Sequence, residues 1–202
     1  SGVDLSDMDL SYATLTNVDL SGRDLTGTNF DNAKLGGINL ENTNLDTATF
    51  VDVDFTKIKN KSLAGANLFG TSFAYSNLSG VNLAGVILSV TNFNKADLSG
   101  QDFTITDFIT GGMAFRYANL SNSNFEGVDL SPKKIFQHTF ENEAHLNNLS
   151  NKDLIEKLLF DEQQIQIVFR KVSGNDLVVG YVFVNNFSDA NLENANFKNA
   201  NL

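Results

Sequence analysis

Two histidines, His138 and His145, are the first side chains to weigh for chemistry. Neutral imidazoles bind zinc, but a zinc site needs three or four ligands, and the chain has no cysteine to complete one. A surface or capping role accounts for both histidines more simply. Carboxylates are far more numerous, and paired carboxylates can do acid–base work. Here Asp4, Asp9, Asp19, Asp24, Asp54 and others each stand immediately before a Leu or Phe. An acceptor side chain at that place can bond the turn backbone just after it. The aspartates therefore have a structural role before any catalytic one is considered. Glycines are dispersed and do not gather into a phosphate loop. These residues lead us to expect no enzyme, no metal and no cofactor in these 202 residues.

The elements that position these side chains are set by a five-residue period. Leu or Phe recurs at Leu5, Leu10, Leu15, Leu20, Leu25, Phe30 and onward to Phe55. Neither a helix of period 3.6 nor a strand of period 2 produces that spacing. After a three-residue slip the period resumes at Leu63 and runs to Phe108. A two-residue slip leads to Phe115, Leu120, Phe125 and Leu130, and the period returns at Phe187, Leu192, Phe197 and Leu202. Self-similarity of this kind marks a solenoid, in which each unit is buried only by its neighbours.

Around each centre the pattern is Ala/Val/Thr, Asn/Asp, Leu/Phe, Ser/Thr and often Gly, as in Ala66-Asn67-Leu68-Phe69-Gly70. This resembles the pentapeptide repeat family, whose signature is A(D/N)LxX. The resemblance implies an all-β fold, a right-handed quadrilateral β-helix with four repeats per coil. The central Leu/Phe and the small residue two before it would both point inward. Stacking partners would then lie 20 residues apart, with Phe30 over Phe50 and Phe73 over Phe93. Repeats up to residue 130 would make about six coils, a rod about 30 Å long at the spacing of paired strands. Arg23 and Gln101 fall on inward positions that normally hold small residues. An unpaired buried charge is costly, so bulging or snorkelling is expected at Arg23.

Residues 131–186 break the period. Pro132, the one proline, marks the exit. Ser150-Asn151-Lys152-Asp153 reads as a helix start, followed by Leu154, Ile155, Leu158 and Leu159 on one face. Ile165–Phe169 and Leu177–Val184 read as two strands joined through Ser173-Gly174-Asn175-Asp176. The expected organisation is a repeat rod over 3–130, a helix-plus-hairpin insertion over 131–186 that caps the coil end or docks on its side, and a further coil over 187–202.

Net charge is −10, and its distribution is uneven. Residues 3–55 are strongly acidic against only Arg23 and Lys34. Residues 56–96 carry no acid, with Lys57, Lys59, Lys61 and Lys95. Residues 97–130 are acidic again, apart from Arg116. The family includes acidic rods that imitate DNA and bind DNA gyrase or other type II topoisomerases, giving inhibition or quinolone protection. Such mimicry needs negative charge spread along the rod as phosphates are along a duplex, and a basic mid-rod band opposes it. By register, Phe69, Val90 and Ile109 project on one face of that band, and Tyr75 and Tyr117 on the adjoining one. Clustered apolar groups on a solenoid surface mark an interaction site. They would take either an apolar helix of the insertion or an external protein partner. Lys57, Lys59 and Lys61 fall in the first slip, read as a protruding loop that is either simply solvated or engages an acidic partner.

The functional expectation is a non-enzymatic solenoid scaffold or protein–protein interaction domain within a larger bacterial protein, such as a secreted effector. The DNA mimic is the alternative. No direct nucleic-acid contact and no membrane span are expected, since no apolar run has the length of a span. A homo-oligomer through uncapped coil ends is open. No signal peptide is visible, which suits a cytoplasmic protein or one secreted into a host cytosol.

Overall fold

The computed structural model describes residues 4–108, 112–131, 136–141, 150, 165–173, 176–183 and 185–201. The repeats form a β-helix of stacked coils. Residues one before each centre pair in parallel with their counterparts one coil on, as in Asp9↔Asn29, Thr14↔Lys34, Asp19↔Asn39 and Asp24↔Asn44. A spacing of 20 residues means four repeats per coil, and hence four columns of stacked repeats, numbered from those that begin at Leu5, Leu10, Leu15 and Leu20. Each step is held by two backbone bonds: Leu10 N–H donates to the Asn29 carbonyl, and Asn29 N–H donates to the Met8 carbonyl. Within the coils, β1 (Ile87–Leu88) and β2 (Asp107–Phe108) extend such a bridge to a two-residue parallel pairing.

Most corners are turns whose last residue lies in the left-handed region. Gly fills many of these places, for example Gly65 at φ +70. A Cβ there would also meet Asn42 Oδ1 at 2.3 Å, so a larger residue would have to move the Asn42 side chain as well as take up left-handed backbone. Inside, the centres are buried from Leu20 to Phe103 and from Phe115 to Leu130. Phe30 and Phe50 stack with centroids 4.8 Å apart, and Phe73 and Phe93 with centroids 5.5 Å apart. The 20-residue stacking read from the period is thus present. This second-column ladder continues through Phe115 to Phe187.

The Asn/Asp position works as expected and also does something the period does not show. Its side chain accepts the amide two residues on, as Asp19 does from Ser21 and Asn77 from Ser79, both at 3.0 Å. In addition, an Asn amide donates to the Oδ1 one coil earlier: Asn44 to Asp24, Asn67 to Asn44, Asn119 to Asp97, and Asn191 to Asn119. These ladders all run in one direction, because an Asp accepts and cannot donate. Asn119→Asp would remove a donor and set two carboxylates against each other. It should cost about 1–2 kcal/mol, read by urea unfolding, and an added Asp97→Asn should recover much of that. A double variant no better than the single would remove the ladder account.

Hydrogen bonds also hold carboxyls of the first two coils below the ordinary aspartate value of 3.8. At Asp4 the cause is the Ser6 amide and then its hydroxyl; at Asp19 and Asp24 it is the hydroxyl of Ser21 or Thr26 and then the amide. A carboxyl depressed in the folded state contributes stability above its unfolded value and loses it as pH falls through the folded one. Amide shifts of Ser21 and Thr26 should therefore titrate with midpoints below 3.8. A midpoint at or above that value would contradict the bonding.

Both inward anomalies resolve physically. Arg23 is exposed, so no buried charge arises there. Gln101 is 4% exposed, and its Nε2 donates to the Leu78 carbonyl at 2.6 Å. The first slip is not a detached loop. Two 3-10 turns, Phe55–Lys57 and Lys59–Lys61, flank a buried Ile58. Gly37 N–H donates to the Lys57 carbonyl and Lys59 N–H to the Ile38 carbonyl, so the segment stays in the ladder and only the lysine side chains project.

The chain leaves the coils after Leu130 and rejoins them at Asn186, which pairs with Ala114. Asn191, Asn196 and Asn201 pair with Asn119, Asn124 and Asp129. Asn185 fastens the re-entry, donating to the Leu130 carbonyl and accepting from the Met113 amide. Between these points the described residues form an antiparallel sheet of β3 (Phe136–Phe140), β4 (Ile165–Ser173) and β5 (Asp176–Phe183), in the order β3-β5-β4. The two strands read from the sequence correspond to β4 and β5, and β3 was not anticipated. The expected helix over Ser150 to Leu159 lies outside the described residues, apart from Ser150.

Candidate functional site

A surface is the only candidate the sequence offers, and its residues lie on corners. Phe69 and Val90 belong to the turns following the first column, stacked one coil apart, with Gly70 N–H donating to the Ser89 carbonyl. Phe69 is 39% exposed, whereas Val90 is half-buried in left-handed backbone and projects less than its register suggested. Ile109 lies outside the described residues. Tyr75 and Tyr117 are 56% and 48% exposed in the turns following the second column, as the register placed them. Lys57, Lys59 and Lys61 are exposed at the turn after the third column, a different corner from the aromatic residues. Lys57 sits 4.0 Å from Asp54, so part of its charge is met within the chain. The structure therefore groups the aromatic residues and separates the lysine turns from them.

Two cations complete the aromatic group, and neither was singled out from the sequence. Lys95 lies between Tyr75 and Tyr117 in the same column. Its Nζ is 3.0 Å from Tyr75 Oη, 4.7 Å from that ring's centroid and 5.8 Å from that of Tyr117. Arg116 lies 4.9 Å from the Tyr117 ring and donates from Nη2 to Tyr117 Oη at 3.3 Å. Cations against aromatic faces attract through the ring quadrupole. The signal was available in the numbering: Lys95 is one coil after Tyr75, and the two-residue slip puts Tyr117 one coil after Lys95.

Nothing in this arrangement resembles a catalytic constellation. Among the described residues no group of three His, Cys, Asp or Glu side chains could hold a metal ion. His138 stands in β3 opposite Val179, and His145 lies outside the described residues. No helix among the described residues is long and apolar enough to cross a membrane.

Comparison with known families agrees with the repeat period. The family described as Pentapeptide repeats matches in 8 copies over residues 1–22, 24–59, 62–108, 112–131 and 186–202. No curated protein sequence matches the chain. Among solved structures, QnrB1, a plasmid-mediated fluoroquinolone resistance protein, is similar at 20% identity over 60% of this chain and 67% of its own, with a TM-score of 0.28. HetL, a protein involved in heterocyst differentiation regulation in the cyanobacterium Nostoc sp. strain PCC 7120, is 18% identical over 98% of this chain and 88% of its own, with a TM-score of 0.26. A pentapeptide repeat protein of the Arabidopsis thaliana thylakoid lumen is 25% identical over 63% of this chain and 68% of its own, with a TM-score of 0.15. The match of the repeats themselves, spanning every coil described above, places this chain in the pentapeptide repeat family.

Proposed function

We propose that this protein is a non-enzymatic scaffold whose repeat rod recognises another protein through the corners that carry Phe69, Val90, Tyr75 and Tyr117. The observation that carries this reading is the exposure of large aromatic side chains at neighbouring corners of a rod whose other corners are mostly Gly, Asn, Ser and Thr. Aromatic residues are enriched where proteins meet. The repeat region that matches is a structural family rather than a catalytic one, which agrees with a binding role. A place within a larger bacterial protein, such as a secreted effector, suits this reading. So does a rod whose repeats are interrupted over residues 131–186. The exposed lysines Lys57, Lys59 and Lys61 would make a second, peripheral contact.

The test is affinity capture with the 202-residue protein and with a Phe69→Ser/Val90→Ser variant. A protein bound by the first and lost by the second, with the thermal melt unchanged, supports the reading; equal capture by both removes the first-column corner from it. The gyrase-binding DNA mimic has one observation in its favour, the net charge of −10. The acid-free stretch from Phe55 to Ala96 opposes it. A supercoiling assay with purified gyrase, unaffected by micromolar protein, would eliminate it.

A further inference from the structure

We propose that Lys95 and Arg116, framed by Tyr75 and Tyr117, dock a short acidic segment of a protein partner. This rests on the scaffold reading above and gives it a partner chemistry. The first support is the unused hydrogen-bonding capacity of the two cations. An ammonium has three donors and a guanidinium five. One Lys95 donor goes to Tyr75 and one Arg116 donor to Tyr117, while Arg116 Nε is shielded from solvent without a partner. Carboxylates are the acceptors that suit such donors.

The backbone gives a second support. Tyr75, Lys95 and Tyr117 take φ values of 63°, 59° and 59°. The equivalent place at other corners is often Gly or Asn, as at Gly80, Gly100 and Asn122, which enter the left-handed region at less cost, although Tyr12, Thr47 and Val90 also take it singly. What sets this column apart is the run: three successive coils hold large side chains where the backbone disfavours them. Strain of this kind collects at functional sites.

The rings also discriminate between anions. Nucleobases bind by stacking on free aromatic faces. Here Lys95 lies over Tyr75, and Lys95 and Arg116 both lie against Tyr117, so a base would have to displace a cation. In the same column the belt ends at Asp52 on one side and Asp189 on the other. A nucleic-acid strand running along the rod would meet those acids and the acidic coils beyond. From Tyr75 to Tyr117 is about 10 Å, two coil spacings, or roughly three residues of extended chain. Two carboxylates at alternate residues match that span. The hollow of about 330 Å³ beside Arg116 is lined by Asn185, Asn186, Ser188 and Asp189, so the acidic segment is confined to the stretch before Asp189.

Fluorescence anisotropy at low ionic strength tests this, with a labelled peptide bearing a Glu-Ala-Glu core between neutral residues. Its Gln-Ala-Gln counterpart and a single-stranded oligothymidine serve as comparison probes. Saturable binding of the acidic peptide is expected. A loss of about tenfold or more is expected for the Gln peptide and for a Lys95→Gln/Arg116→Gln variant with an unchanged melt. Should that variant melt lower, Lys95→Glu alone replaces it, with the same loss expected. Absence of saturable peptide binding, insensitivity to the variants, or tighter binding of the oligothymidine overturns the proposal. If the peptide fails while Phe69→Ser/Val90→Ser still abolishes capture of a protein, the scaffold reading stands and only the acidic partner falls.

Discussion

Replacing Phe115 with Ala is expected to be the most damaging single change in the rod, at about 3–5 kcal/mol. Phe115 is fully buried and meets four other rings. It stacks on Phe93 at 5.4 Å and on Phe187 at 4.8 Å, and meets Phe103 and Phe125 edge-on at 6.0 and 6.3 Å. Its backbone N–H also donates to the Asn186 carbonyl, across the point where the chain returns from its excursion. Neighbouring coils are close-packed and cannot collapse into the space, because their own spacing is fixed by the ladder bonds. Repeat arrays are held by nearest-neighbour interfaces, so the loss falls on the joint between the last coil and the rest. A melt followed by circular dichroism should drop by roughly 10–15 °C, and hydrogen exchange should quicken first at Asn186, Asn191 and Asn196. Phe197→Ala, at a half-buried ring, should cost less. If the two variants melt together, the account of Phe115 as a joint is wrong.

The second large effect is expected at a hydroxyl. In most turns the amide three residues after the centre donates to the centre's carbonyl, as Ala48 does to Leu45. At Phe50 that bond is opened and Ser76 Oγ is inserted: Val53 N–H donates to Ser76 Oγ at 2.8 Å, and Ser76 Oγ donates to the Phe50 carbonyl. Ser76→Ala leaves a buried amide without an acceptor, which costs about 1–3 kcal/mol. Thr91 is a useful contrast. Its Oγ1 donates to the Leu68 carbonyl at 2.9 Å, and that carbonyl also accepts from the Thr71 amide. Thr91→Val therefore orphans no group and should cost distinctly less than Ser76→Ala in the same urea titration. Equal losses would mean that the inserted hydroxyl has no special part.

The fold was legible for a particular reason. A pentapeptide carries its own instructions: an inward Leu or Phe, an acceptor that ties the next amide, and a corner that tolerates positive φ. Asp19, Phe50 and Gly65 do in the structure what their places in the period predict. Gln101 departs from the rule for inward residues, yet its amide reaches the Leu78 carbonyl just as the hydroxyl of Thr91 reaches that of Leu68. The candidate face was legible only in part. Tyr75, Tyr117 and Phe69 were placed by register, but Val90 is more enclosed and the lysine turns lie at another corner. Lys95 and Arg116 look like scattered surface charges in the chain, and they form a group only when three coils are stacked.

The sequence by itself determined the β-helix, the identity of its core and the structural duty of its aspartates, because each repeat meets its requirements within five residues. The tertiary structure decided which repeats are neighbours once the slips accumulate: 23 residues apart from Asn44 to Asn67, 22 from Asp97 to Asn119, and 72 from Asn119 to Asn191. Ladder direction, the Ser76 bridge, the Phe115 joint and the cation–aromatic column all depend on that neighbour relation. Stacking energy is exchanged between coils and not along the chain, so no five-residue unit contains it.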